Sequence, residues 1–433
     1  MADLIMGPEE MDLDGNELYI RGPQKMKGEL PVQGSKNAVL PILAATLLGD
    51  GISILHHCPV ISDVEHMLEL LEDAGCLIRR EGHMLTVDTR DLKKCCISGD
   101  GAGKMRSTVN LLGSMLGRMG EVEIPYPGGC TIGRRPIDLH LKGLKQLGAA
   151  FEHREHTLKG KVEKLKGAEV YLDFPSVGAT ENILMAAVLA DGMTTIHGAA
   201  MEPEIAELAS FLRKMGARIQ GEGTPVIRIE GVRKLHGAEY IIPADRIVAG
   251  TYLLGAVMTG GDVRLLHVPA AHLGTLPTLL EQLGASVESG ENWIRVRMNR
   301  ICRAIPYTVT APFPGFPTDL QSALMAVLTV APGMSLIEEK IFEARFQIAG
   351  ELGRMGASVV CESPFALVDG VERLRGASVE AKELRGGTAL ILAAIAAEGE
   401  SCISGMEYVR RGYEDINGDL KKLGVVVYSD ANR

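Results

Sequence analysis

Two unrelated strings recur six times along this 433-residue chain at the same interval. The first is Leu-x-x-Leu/Met-Gly-Ala followed by a β-prone run, as in LLEDAGCLI, LKQLGAAFE, LRKMGARIQ, LEQLGASVE, LGRMGASVV and LKKLGVVVY. Its glycines are Gly75, Gly148, Gly216, Gly284, Gly356 and Gly424, spaced by 73, 68, 68, 72 and 68 residues. The second is an Ala/Leu-rich helical run, a glycine, then a strand, as in AATLLGDGISIL and AAIAAEGESCI. Its glycines are Gly51, Gly120, Gly192, Gly261, Gly333 and Gly399, spaced by 69, 72, 69, 72 and 66 residues. A period of this kind is the signature of a repeated structural unit. Each glycine falls where a helix should end, at a position that favours a residue free to adopt positive φ. The chain therefore reads as six α/β units of near 70 residues, each running strand, helix, strand, helix and further strands. Because the period is long and the intervening sequence diverse, two pseudo-symmetric lobes of three units are expected rather than a solenoid, with a crossing near Ile241-Ile242-Pro243.

The net charge is −10. That excludes a globally basic nucleic-acid binder, and any anionic ligand has to be held by a local cluster of cations. Met1-Ala2-Asp3-Leu4 has no basic segment leading into an apolar one, and no run of about 18 uncharged apolar residues follows. A cytoplasmic location without membrane association is expected. The eight cysteines are scattered, with neither a disulfide framework nor a C-x-x-C pattern; most are expected to be small buried hydrophobes.

The unusual polar residues occupy one place in each unit, just before its first helix: Gly34-Ser35-Lys36-Asn37, Lys104-Met105-Arg106-Ser107, Ser176-Val177-Gly178-Ala179-Thr180, Ala244-Asp245-Arg246, Phe316-Pro317-Thr318-Asp319 and Lys382-Glu383-Leu384-Arg385. Taken singly, Ser, Thr and Asp there are ordinary N-caps. Taken together, equivalent helix N-termini in a pseudo-symmetric lobe point the same way and favour anions. Two lobes facing each other would enclose a cleft for phosphates and carboxylates, with Lys36, Arg106 and Arg385 adding full charges.

The other outlier is Pro125-Tyr126-Pro127-Gly128-Gly129-Cys130-Thr131-Ile132-Gly133-Arg134-Arg135-Pro136. Its prolines and glycines mark a loop. Cys130 inside it has two arginines close behind, and nearby cations raise a thiol's thiolate fraction. Such a thiol serves as nucleophile, general acid or both; the plain alternative is a turn with an incidental cysteine. Other motifs fail. Gly99-Asp100-Gly101-Ala102-Gly103-Lys104-Met105 imitates a phosphate loop but has the wrong glycine spacing, and Met where Ser or Thr would bind magnesium. No Rossmann fingerprint follows an early strand. His56-His57 are adjacent on an expected strand and point apart. His140 is left to orient a ligand or cap a helix.

GSKNAVLPILAATLL, PGGCTIGRRPIDLHLKGLKQLGA, SVGATENILMAAVLADG, EPEIAELASFLRKMGA, FPTDLQSAL and the RGYED string resemble the UDP-N-acetylglucosamine enolpyruvyl transferases, from about Leu18 to the C-terminus. The resemblance implies a two-lobed inside-out α/β barrel. One lobe spans 36–243 and carries the cysteine loop, and the other combines 15–35 with 244–430, after an extension over 1–14. It also implies transfer of the enolpyruvyl group of phosphoenolpyruvate to the 3-hydroxyl of the sugar nucleotide, without a metal or cofactor, and alkylation of Cys130 by phosphonate epoxides.

Residue by residue, Cys130 matches the thiol that protonates the enol carbon. Asp319 matches the carboxylate that takes the proton of the sugar hydroxyl. Lys36, Arg135 and Arg411 match the cations for the phosphate of phosphoenolpyruvate, with Asn37, Arg345 and Arg385 beside them. Arg106, the run Arg135, Pro136, Ile137, Asp138 and Leu139, then Ser176, Val177 and Gly178, and the apolar Ile341 match the sugar-nucleotide side, which Asp319 shares. Two departures are Phe174-Pro175, where many members carry a basic residue ahead of SVGAT, and Arg410, where many have Asp. The competing readings are a shikimate-3-phosphate enolpyruvyl transferase, against which the Pro-Gly-Gly-Cys loop argues, and a non-catalytic sugar-nucleotide-binding paralogue.

Overall fold

The computed structural model describes residues 16–97, 106–126, 132–133, 135–301 and 303–429, with the side chains of Arg106 and Ser107 set aside. Each repeat opens with a helix that is buried on nearly all sides: Lys36–Thr46, Leu111–Met119, Val177–Ala187, Arg246–Thr259, Gln321–Leu328 and Leu384–Ala396. Their sequences explain this. Runs such as VLPILAA and ALILAAIA have no polar face, and a helix apolar all round has to be enclosed. The second helices, for example Ser62–Ala74, Pro203–Lys214 and Leu276–Leu283, carry one apolar stripe and lie outside the first. The strand Phe365–Asp369 alternates between buried and exposed residues, and Met84–Asp88 between buried and half-buried ones. Their sheets therefore cover the helices with one face and meet solvent with the other. Helices inside and sheets outside give the inside-out arrangement expected.

Buried hydrophobic residues divide into two clusters. One runs from Ala38 to Ile242. The other joins Leu18–Val32 to Ala244–Val427. The chain crosses between them twice, side by side: Ser35 N donates to the Pro243 carbonyl at 2.7 Å and Asp245 N to that of Gln33 at 2.9 Å. The crossings exchange strands. Lys27–Pro31 pairs in parallel with Asp262–Leu266, whereas Glu239–Ile241 pairs in parallel with Ile52–His56. The strand Glu17–Gly22 lies antiparallel to Gly399–Ser404, so the first described strand closes the last sheet.

All six glycines of the first string have positive φ, from 75° to 106°. The second string needs correction: only Gly120, at φ 72°, and Gly260, at φ 64° and one residue before the expected Gly261, end a helix, whereas Gly51, Gly192, Gly333 and Gly399 have positive φ but lie beyond helices that end at Thr46, Ala187, Leu328 and Ala396. The cysteine expectation also needs revision. Of the six free cysteines among the described residues only Cys58 and Cys76 are buried, and burial pushes both thiols up to about 12. His56 and His57 do diverge, to Glu239 at 2.7 Å and to the Ile242 carbonyl at 2.9 Å. No helix among the described residues is long and apolar enough to cross a membrane.

Candidate active site

The helix starts behave in two ways. Ser35, Ser176, Asp245 and Glu383 are true caps, accepting from the backbone at Ala38, Ala179, Ile247 with Val248, and Arg385 with Gly386. Asp319 is not a cap: it sits in a short 3₁₀ turn, Thr318–Leu320, and gives its carboxylate to side chains instead. Arg345 Nη2 donates to its Oδ1 at 2.5 Å and Arg385 Nη2 to its Oδ2 at 3.1 Å. Asn37, from the other core cluster, reaches Oδ2 at 3.5 Å. Burial raises the proton affinity of this carboxyl, but Arg385, Arg345 and Arg135 outweigh it and hold it well below the usual carboxylate range. Glu339, which the sequence reading missed, fixes the segment: it accepts from Thr310 and Thr318 and from the backbone of Ile341 and Phe342.

A second carboxylate missed from sequence is Asp63, in the first turn of the helix Ser62–Ala74. It receives Lys36 Nζ at 2.6 Å and Arg411 Nε at 2.9 Å. The extra cation at Arg410 leaves that grip on Arg411 in place, and its backbone carbonyl accepts from Ser62 N at 3.3 Å.

Cys130 lies outside the described residues, as does the side chain of Arg106. The described flank of the cysteine loop meets the opposite core cluster: Ala344 N donates to the Ile132 carbonyl at 3.1 Å. Arg135 lies over the Phe342 ring at 4.6 Å and Arg345 at 5.5 Å, and the Nε of Arg135 is buried without a hydrogen-bond partner among the described residues. Ile341 adjoins them. Asp138 and Leu139 begin the helix Asp138–Gln146, preceded by exposed Pro136 and buried Ile137. His140 turns out to serve the scaffold. It packs so close to Gly178 that a Cβ there would meet its ring at 2.8 Å, and it joins Asn182 at 2.9 Å. Ser176, Val177 and Gly178 thus start a helix braced by the 138–146 helix, whereas Phe174 just ahead is exposed.

Lys36, Asn37, Asp63 and Arg135 from one core cluster therefore meet Asp319, Arg345, Arg385 and Arg411 from the other. Among the described residues, five cations face three carboxylates, Asp63, Asp319 and, at 3.8 Å from Arg345, Glu383. A site with that surplus is suited to an anion carrying more than one negative charge.

Residues 20–420 match the family model described as EPSP synthase (3-phosphoshikimate 1-carboxyvinyltransferase). A UDP-N-acetylglucosamine 1-carboxyvinyltransferase 2 of Caldanaerobacter subterraneus subsp. tengcongensis is 47% identical over 94% of this chain and 97% of its own length. A UDP-N-acetylglucosamine 1-carboxyvinyltransferase 1 of Symbiobacterium thermophilum is 45% identical over 98% of both. Among solved structures, the enolpyruvyl transferase NikO from Streptomyces tendae superposes with a TM-score of 0.84 at 22% identity, covering 96% of this chain and 99% of that one. EPSP synthase from Acinetobacter baumannii gives 0.73 at 21% identity, over 95% and 99%. These two likenesses show the fold.

Proposed function

The chain belongs to the EPSP synthase (3-phosphoshikimate 1-carboxyvinyltransferase) family, alongside relatives named UDP-N-acetylglucosamine 1-carboxyvinyltransferase, and on that premise we propose that it transfers the enolpyruvyl group of phosphoenolpyruvate to the 3-hydroxyl of UDP-N-acetylglucosamine and releases phosphate. The observation that carries the reading is the convergence of Lys36, Arg135, Arg345, Arg385 and Arg411 around Asp319 and Asp63. Phosphoenolpyruvate brings a phosphate and a carboxylate, and a cluster of this size neutralises both.

In this reading the Cys130 Sγ–H delivers its proton to the methylene carbon of phosphoenolpyruvate. The sugar's 3-hydroxyl oxygen bonds to the adjacent carbon, and its proton passes to Asp319. The tetrahedral adduct then loses phosphate, which takes up the proton held by Asp319 as it leaves, the methyl carbon returns a proton to the thiolate, and the enol double bond is restored. Alone, Asp319 is a poor base because three arginines stabilise its charge. An incoming dianion that shares Arg385 and Arg345 relieves that grip, so arrival of phosphoenolpyruvate itself raises the basicity of Asp319. Arg106, the run 135–139, Ser176 to Gly178 and Ile341 are assigned to the sugar nucleotide, with Lys36 and Asn37 on the phosphoenolpyruvate side. The lobes are read as 36–243 and as 15–35 with 244–430, consistent with the two core clusters. The reaction commits sugar nucleotide to peptidoglycan precursors, a cytoplasmic role.

The test is direct: incubation with both substrates, followed by mass spectrometry, yields the sugar nucleotide carrying one enolpyruvyl group. Recovery of unchanged sugar nucleotide alone would sink the proposal. A phosphonate epoxide shaped like phosphoenolpyruvate is expected to alkylate Cys130. Peptide mapping that puts the label on Cys96 or Cys361, the exposed thiols among the described residues, would remove Cys130 from the mechanism.

A further inference from the structure

Asp63 has a place that no role above explains. Its side chain is 6% exposed, and both carboxylate oxygens are engaged, by Lys36 Nζ at 2.6 Å and by Arg411 at 2.9 and 3.4 Å. Lys36 belongs to the same core cluster as Asp63, and Arg411 to a segment 348 residues away that packs with the other. A second tie keeps the two sides in register beside it, because the neighbouring Ser62 N donates to the Arg410 carbonyl at 3.3 Å. The RGYED segment is fixed from its other side too. Gln33 donates to the Gly412 carbonyl at 3.0 Å and accepts from Glu414 N at 2.9 Å.

A buried ion pair contributes little net stability, since desolvation offsets most of the attraction. Its value here is orientation. Burial, with Arg385 and Arg411 adding to it, already lowers the proton affinity of Lys36, and without Asp63 as counter-charge it would fall further. A side chain as flexible as lysine's also needs a fixed partner to hold one rotamer. Asp63 supplies both, and it does so for the two cations given to the phosphate of phosphoenolpyruvate.

We propose that Asp63 is a positioning residue for enolpyruvyl transfer: gripping Lys36 from one lobe and Arg411 from the other, it presets the pair that receives the phosphate and makes that subsite form only when the lobes meet. The inference rests on the function proposed above. Neither cation touches the sugar-nucleotide side in that assignment, so Asp63 should govern one substrate and leave the other alone.

Asp63→Asn keeps the shape and removes the charge. The expected result is a KM for phosphoenolpyruvate raised about 10-fold or more, the scale of one charge-assisted hydrogen bond. Inhibition by inorganic phosphate weakens by a similar factor, and the KM for UDP-N-acetylglucosamine stays within about twofold. Because Asp63 raises the proton affinity of Lys36, its loss moves the alkaline limb of kcat/KM to lower pH by about one unit. Asp63→Glu, which keeps the charge, returns that limb toward wild type. Thermal melting and circular dichroism establish that each variant is folded. If removing the charge were silent, with both the phosphoenolpyruvate KM and the alkaline limb unchanged in folded Asp63→Asn protein, the proposal would fall. Equal increases in both KM values would also overturn it, by reducing Asp63 to a general tie between lobes. A wild type with no turnover on either acceptor would instead contradict the parent reading, a separate outcome.

Discussion

Burial alone would push the carboxyl of Asp319 upward, yet Arg385, Arg345 and Arg135 hold it far below the usual range. The wild type therefore keeps this carboxylate ionised well below neutral pH. Arg385→Gln removes the largest of the opposing charges, and the sign follows: with less positive charge nearby, the Asp319 pKa rises, and an acid limb of kcat/KM to which Asp319 does not contribute in the wild type emerges in the variant. A variant whose pH profile gains no acid limb would mean Arg385 does not govern Asp319. At this scale the sequence displayed some participants and hid others. Lys36, Cys130, Asp319 and Arg411 stand in strings unlike their surroundings. Asp63 and Glu339 do not, because each looks like an ordinary acid near a helix or strand end. What makes Asp63 special is a pair of partners from distant parts of the chain, one of them 348 residues on, and no local pattern records such a meeting.

Among the elements, Asp245 shows how a cap is put to second use. Its Oδ1 accepts from Ile247 N at 2.8 Å and Val248 N at 3.0 Å, while Oδ2 accepts from Lys36 N at 3.0 Å across the crossing. Asp245→Ala loses the cap and the cross-tie, and is expected to cost about 2 kcal/mol or more. Denaturant unfolding would report it as a lower midpoint with unchanged slope; an unchanged midpoint would show that water replaces the carboxylate. The repeat was legible because positive φ at a helix end is a local demand that glycine meets in every unit. The strand exchange has no such local marker, since Lys27–Pro31 and Glu239–Ile241 have equivalent places in their units and either partner sheet satisfies their alternation; the grouping of 15–35 with 244–430 came from the family resemblance and not from the pattern. The slip from Gly261 to Gly260 has the same origin: two adjacent glycines satisfy one helix end equally well on paper.

Over the whole molecule, the two halves also meet at buried acids away from the cation cluster. Arg246 Nε donates to Glu204 at 2.8 Å and Phe313 N to Glu202 at 3.2 Å. Behind them Glu181, bonded by Asn110 at 3.0 Å, is pushed from an ordinary 4.5 up to about 8 by burial, then by Glu204, with Glu202 adding to it. A carboxyl raised in this way binds its proton more tightly folded than unfolded. Its contribution to stability is complete below about 4.5 and is lost as pH rises to about 8. Glu181→Gln, neutral throughout, should flatten that decline and melt about 2 °C or more above wild type at pH 8. Parallel melting curves for the two proteins from pH 5 to 8 would contradict it. The sequence suggested two lobes closing on anions, but the fixing of one half against the other by acids on both sides emerged only in three dimensions.

In the proposed reaction these lobes assemble a site for one anionic donor and one sugar-nucleotide acceptor. Phosphate release from phosphoenolpyruvate measures it most directly, with UDP-N-acetylglucosamine or shikimate-3-phosphate as acceptor, for wild type and Cys130→Ser. Release with the sugar nucleotide alone, sharply reduced in the variant, is the predicted result. Release with shikimate-3-phosphate alone, or with neither acceptor, would contradict the account.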